Sequence, residues 1–346
     1  MSGGEANIRL GDNVVFTGFH VATVILVAVA GVSWGAVGFM ALTYALIMFG
    51  ITGGYHRYFA HRSYKTGRAF QLMLALLGTL SLQKGVLWWA AHHRRHHRES
   101  DQVGDVHSPV RRGFWWSHVG WIMAPDFMET DWEGIKDMAR YPELRWLNQH
   151  FILPFVGLCL LVQLTLGLQY LVWGCFVSTV CLWHATFCIN SMAHLLGKRV
   201  YETTDHSRNN VLLALATHGE GWHNNHHYYA ASARQGFHWW QVDLSYMVLC
   251  VLEALGIVWG VKRPSREVVD GRVGGRDHLL ARTGRAALPA LEPEPAAAPP
   301  PVGAGAGLAP VATAASVAAM AAVGSVSGST SASQAPPVEA RASERR

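Results

Sequence analysis

Four long apolar runs alternate with polar segments along the chain. They fall at about 14–32, 37–54, 151–168 and 171–189, each close to the roughly 17–25 residues a helix needs to cross a bilayer. The connections around 33–35 and 169–170 are short and uncharged. This pattern predicts an all-α integral membrane protein with four transmembrane helices. A fifth run, 72–86, is shorter and carries Gln83 and Lys84; it reads as a helix embedded in the interface or packed beneath the bundle. Near 265 the alternation stops, and beyond 286 the chain becomes an Ala/Pro/Gly/Ser/Val tract. Such a tract lacks the large apolar side chains that would offset its ordering entropy. The expected organisation is a membrane-embedded unit over 1–264 and a low-complexity, disordered tail over 265–346.

Composition sharpens this reading. Of 346 residues 50% are hydrophobic and 15% charged, against about 25% charged in soluble domains. Lys and Arg gather in the long segments after the second and fourth runs, which the positive-inside rule makes cytoplasmic. Both termini and the histidine-rich segments then lie on the cytoplasmic side, at the inner membrane if the source is bacterial. The net charge of +5 is interleaved with spans, so lipid headgroups or an acidic substrate group suit it better than nucleic acid. The five cysteines lie in apolar runs without CxxC spacing, as buried apolar residues do.

The chemistry lies in the histidines. "HRYFAH" holds His56 and His61, "HRRHH" holds His93, His96 and His97, "NSMAH" holds Asn190 and His194, and "HNNHH" holds His223, His226 and His227. Positions i, i+3 and i+4 share one helical face, so each HxxHH box can aim three imidazoles at a small volume. The i, i+5 pair His56/His61 does so only where a helix bends or ends. Nine imidazoles are too many for one ion and about right for two. The chain offers too few cysteines for structural zinc and too few carboxylates for hard ions or a ferritin-like site. A histidine-rich dimetal centre at the membrane face remains. Glu99, Asp101, Asp105 and Glu220 are candidates to orient its rings. A metal transporter would put ionisable groups mid-span, whereas here the candidate ligands cluster at one face and the runs are nearly bare.

The order HxxxxH, HxxHH, Asn-x3-His, HxxHH resembles the membrane-bound fatty acid desaturases. "GITGGYHRYFAHRSYK", "RRGFWWSHVGW", "NSMAHLLG" and "GEGWHNNHH" are most similar to the acyl-CoA delta-9, stearoyl-CoA type. The resemblance, over about 49–261, implies four spans with a cytosolic helical cap holding two iron ions. It implies O2-dependent formation of a cis double bond in a long-chain acyl substrate within a kinked tunnel. By resemblance the metal residues are His56, His61, His93, His96, His97, His194, His223, His226 and His227, with Asn190 acting through water. Gln83 matches a position near the tunnel mouth. Where the animal acyl-CoA enzymes have an Arg-Asp pair, this chain has Ala91 and His92, so a lipid-bound acyl chain competes with acyl-CoA as substrate. Met40 and Tyr44 could line the blind end of the tunnel, and Arg111 and Arg112 could meet an acidic headgroup. A lipid hydroxylase built on the same boxes is the alternative. With no haem or dinucleotide motif, electrons are expected from a separate ferredoxin, cytochrome or flavin-linked reductase.

Overall fold

The structure is a computed structural model and describes residues 10–272. The apolar runs fold as helices where the pattern puts them. The first is Leu10–Ala30. The second begins at Trp34, where Ser33 Oγ accepts the Ala36 N–H at 3.2 Å, a side-chain cap for an otherwise orphaned donor. Beyond Phe49 it continues as a π-wound segment, Gly50–Ala60. The third, Ile152–Thr165, meets Pro142–Gln149 at a 71° bend. The fourth runs from Leu168 to Ser191.

Trp34–Ala60 and Leu168–Ser191 are long and apolar enough to cross a membrane, and the bent pair makes a third span if it is counted as one. On this criterion two or three of the four expected spans are met; the first apolar run is the helix Leu10–Ala30, with Val14–Ala30 as its apolar stretch. Its outer face is nonetheless lipid-like: Val15 is 79% exposed, and Leu164 on the third helix 83%. Apolar surface turned outward along whole helices suits hydrocarbon rather than water.

The fifth run becomes the helix Arg68–Thr79, laid against the π-wound segment. Contact there is so close that a Cβ on Gly50 would fall 2.5 Å from the Leu77 carbonyl carbon. The next helix, Val86–Glu99, carries the middle histidine box. Asn148 Oδ1 caps its start, accepting the Leu87 and Trp88 N–H groups at 3.0 and 2.9 Å. Among the described residues the sheet is a single antiparallel pair, Lys65–Thr66 with Val258–Trp259.

Past the fourth span the chain forms the short helices Val211–Ala216 and His223–Tyr228, then Leu244–Ala254. A last turn, Arg266–Val269, seats Val268 against Tyr201, Tyr228 and Phe237. The tail expected from 265 otherwise lies outside the described residues.

Candidate metal centre

Backbone winding solves the i, i+5 problem of the first box. His61 N donates to His56 O at 3.1 Å, the bond of a π-helix, a form that occurs mostly at functional sites. That winding brings the two rings edge to face, centroids 4.7 Å apart, where an α-helix would separate them. The last box sits on a six-residue helix pinned by its intervening asparagines. Asn224 Oδ1 accepts the Val200 and Tyr201 N–H groups, both at 2.7 Å. Asn225 Nδ2 donates to Gln235 O and Gln241 Oε1 at 2.8 and 3.0 Å. Gly221 lets this helix lie on Val211–Ala216, since a Cβ there would meet Ala214 N at 2.1 Å.

The nine histidines come together as two groups. His56, His61, His93, His97 and His226 form one; His96, His194, His223 and His227 form the other. Within a group the ligand-type atoms lie within 4.8 Å of one another. Each HxxHH box is split between groups, and in opposite senses. From the middle box the i and i+4 rings join the first group and the i+3 ring the second; in the last box the assignment reverses.

Carboxylates grip the far nitrogens. Asp105 Oδ1 stands 2.9 Å from His96 Nδ1, Asp101 Oδ2 2.9 Å from His194 Nδ1, Asp205 Oδ2 2.6 Å from His227 Nδ1, and Glu220 Oε2 2.6 Å from His56 Nδ1. A ring that donates its Nδ1 proton to a carboxylate keeps a bare lone pair on Nε2. Those Nε2 atoms face one another: His56 to His226 at 3.0 Å and His194 to His223 at 3.0 Å. His61 to His93 and His97 to His226 are at 2.8 Å. His96 Nε2 and His227 Nε2 are buried with no hydrogen-bond partner. Two imidazole nitrogens bound at right angles to one ion, each at about 2.1 Å, stand about 3.0 Å apart. The donor set therefore fits two metal ions, and neutral imidazole suits first-row transition metals.

Electrostatics keep most rings neutral. Burial, then neighbouring imidazoles, push His61, His93, His97, His223 and His226 well below the usual histidine range. His227 is also pushed down by burial, which outweighs Asp205 beside it. His194 runs the other way, because Asp101 more than offsets its burial. Burial works to raise Asp101, Asp105 and Asp205, but their imidazole partners hold all three below the ordinary carboxylate range.

Beside the groups lies a cavity of about 360 Å³, walled by Phe16, Phe19, Trp88, Trp121, Phe151 and Phe187 among others. A smaller void of about 50 Å³ continues past the histidines toward Ile51, Thr52 and Thr217. Trp89, His93, Thr186 and Asn190 border both spaces. Gln83 bridges this junction: its Nε2 donates to Thr186 Oγ1 at 2.8 Å, and its Oε1 accepts from Trp89 Nε1 at 3.3 Å. Leu82 and Lys84 on either side have φ of +54° and +62°, left-handed values that cost energy in any residue but glycine. Local strain is held there, and it aims Gln83.

The profile of the fatty acid desaturase family matches residues 32–247. The chain belongs to that family. An sn-1 stearoyl-lipid 9-desaturase of Anabaena variabilis is 38% identical over 253 residues, covering 72% of this chain and 93% of the relative. A hex-5-enoyl-[acyl-carrier protein] acetylenase of Moorena producens is 35% identical, covering 68% and 79%. An acyl-CoA 5-desaturase of Anemone leveillei is 37% identical, covering 67% and 74%. Three acyl carriers thus appear among the desaturase relatives.

Against this desaturase framework the remaining sequence candidates sort by position. Gln83 lines the larger cavity and Asn190 lines both spaces. Met40 and Tyr44 lie outside both linings, on the same helix as Ile51 and before it; Tyr44 Oη donates to Ala216 O at 2.7 Å. Arg111 and Arg112 are exposed and also outside the linings, with Arg112 stacked 3.2 Å over the Trp116 ring. Of the four acids singled out to orient rings, Asp101, Asp105 and Glu220 do so, whereas Glu99 pairs with Arg98 at 3.7 Å. Asp205 and Trp89 were not foreseen. An acid between the third and fourth histidine groups was the available signal for Asp205. His92 lines the cavity with its Nδ1 on Trp88 O at 3.0 Å and joins neither group.

Proposed function

We propose that the chain introduces a cis double bond, at the delta-9 position, into a long-chain saturated acyl substrate, using O2 and two iron ions. The observation that supports this best is the junction at Gln83, Trp89 and Thr186, where an apolar cavity meets a smaller void lined by rings of both histidine groups. The five-imidazole group holds one iron and the four-imidazole group the other, with Asn190 near the second through water. Bound there, the irons supply the redox chemistry with O2 that removing hydrogen from an unactivated methylene requires. The protein does the rest. Carboxylates fix the tautomers, apolar walls exclude water, and the junction of the two spaces decides which two carbons face the centre.

The carrier is a lipid-bound acyl chain on this reading. Cavity-lining Val15 and Ile152 are exposed on the apolar outer surface, and Arg111 and Arg112 stay out of the lining. A chain entering sideways from a bilayer meets such a surface. Four spans, with both termini and the centre on the cytoplasmic side, complete the proposal.

The test is expression in a desaturase-deficient host, with double-bond positions mapped by mass spectrometry and His226→Ala as control. A new cis monoene on glycerolipid, absent in the control, is expected. Product on acyl-CoA before lipid would reassign the carrier, and hydroxylated product would move the chain to the oxygenase alternative.

A further inference from the structure

Desaturation consumes more than the acyl chain and O2. Forming one double bond and two waters takes two electrons and two protons from outside, because the substrate gives only two of the four electrons that O2 accepts. Those electrons must reach rings that are mostly buried. This inference rests on the desaturase reading proposed above.

Of the four carboxylates gripping histidine rings, Asp101 alone also faces a ring that reaches solvent, among the described residues. His206 Nδ1 stands 3.4 Å from Asp101 Oδ2, its side chain is 38% exposed, and its backbone N–H donates to the same oxygen at 2.7 Å. Asp101 Oδ2 in turn accepts from His194 Nδ1 at 2.9 Å. Asp105, Asp205 and Glu220 meet only side chains and backbone of the interior or of their own loop. His206, Asp101 and His194 thus form a contact path from the surface to the four-imidazole group.

The loop carrying His206 is basic. Lys198 and Arg199 are exposed and Arg208 half-buried, with Glu202 as the exposed acid. The loop is closed on itself: Lys198 and Asn209 exchange backbone bonds at 2.9 and 2.8 Å, and Arg208 N donates to Ala193 O at 2.7 Å. The adjoining loop begins with Asp101 and follows the helix end that bears Arg98, half exposed. It presents Val103 at 85% exposure, and the basic loop presents Val200 at 54%. Positive charge around an apolar spot is the surface that an acidic protein docks on transiently.

We infer that this face, centred on His206 and flanked by Lys198 and Arg199, is the docking site of an acidic one-electron carrier protein. The carrier's electrons enter through His206, Asp101 and His194. Two reduced carriers each give one electron per turnover and leave oxidised, while solvent supplies the two protons.

The test uses the metal-loaded full chain in detergent with two soluble probes, a plant-type ferredoxin and a cytochrome b5 haem domain. Binding is measured against salt, and the reoxidation of each pre-reduced probe is followed by absorbance. At least one probe should bind wild type with an affinity that falls as salt rises. The double variant Lys198→Glu/Arg199→Glu should weaken that binding tenfold or more and leave dithionite-driven turnover unchanged. His206→Leu should keep binding intact and slow probe reoxidation at least fivefold. The proposal is overturned if neither probe binds wild type, or if the double variant binds as tightly as wild type. It is equally overturned if His206→Leu accepts electrons at the wild-type rate. Failure of wild type to form product with dithionite would instead sink the desaturase reading, whatever the binding shows.

Discussion

Arg57 Nη1 stands 2.9 Å from Asp243 Oδ1 and its Nη2 3.2 Å from Glu220 Oε1, with the Arg57 side chain only 1% exposed. A single buried cation thus anchors two buried acids. Glu220 orients His56, and Asp243 accepts the Gln235, Gly236 and Tyr246 backbone N–H groups.

Removing that cation strands both acids. Arg57→Leu should cost about 3–5 kcal/mol, the range for breaking a buried ion pair from one side. The check is thermal unfolding in detergent. Adding Glu220→Gln and Asp243→Asn should recover part of the loss, since no uncompensated charge then remains buried.

Gly50→Ala tests the close contact under the π-wound segment. The new Cβ meets backbone atoms of Leu77 and Gly78 at 2.5–2.8 Å, and backbone cannot rotate away as a side-chain tip can. A loss of about 1–3 kcal/mol is expected for such overpacking, with metal retention falling alongside it because His56 and His61 share that segment.

Asp205→Asn removes the charge from the 2.6 Å contact with His227 Nδ1. Losing such an outer partner typically lowers metal affinity about 10–100-fold. Competition with a graded chelator series, read as metal per chain, measures it; an unchanged helical circular dichroism spectrum would separate this from misfolding.

Acid should release metal and destabilise the metal-free protein in one window. The buried rings of His93, His97, His223 and His226 have folded pKa values well below 6.5, their ordinary value. Below pH 6.5 the unfolded chain therefore binds more protons than the folded one, and stability falls as pH drops through that point. Asp101, Asp105 and Asp205 hold their folded pKa values below 3.8, so their contribution persists until pH falls below about 4. Unfolding curves of metal-free protein from pH 8 to 4 should decline from about 6.5. A curve flat down to pH 4.5 would contradict the neutral-ring assignment.

Gln83→Leu should blur the position of the double bond. The variant keeps volume but loses both the Thr186 and Trp89 contacts, so the junction between the two spaces is no longer held. Product mapping should show neighbouring positional isomers beside the main one.

Much of this was legible in the chain. Hydropathy placed the helices, since a span-length apolar run has few other folds open to it. Spacing within the HxxHH boxes found the rings, because i, i+3 and i+4 is a property of the helix itself. The partition of His96 from His93 and His97 was not legible: it depends on how two helices from distant parts of the chain face each other. His56 and His61 needed a π-wound turn, which local propensity does not announce. The clamps at Asn224 and Asn225 were hidden for a related reason. Nothing in an amide shows, in sequence, whether it will meet a buried backbone donor or simply face water.

The crossed sharing of the boxes has a consequence for how the centre fills. Val86–Glu99 and His223–Tyr228 each present rings to both groups, so any ion that binds in one group also braces the two helices supporting the other. By reciprocity the second ion must brace the first to the same extent. Loading and stripping should therefore be concerted: a half-filled population stays small, and the chain passes between empty and full as a two-ion switch.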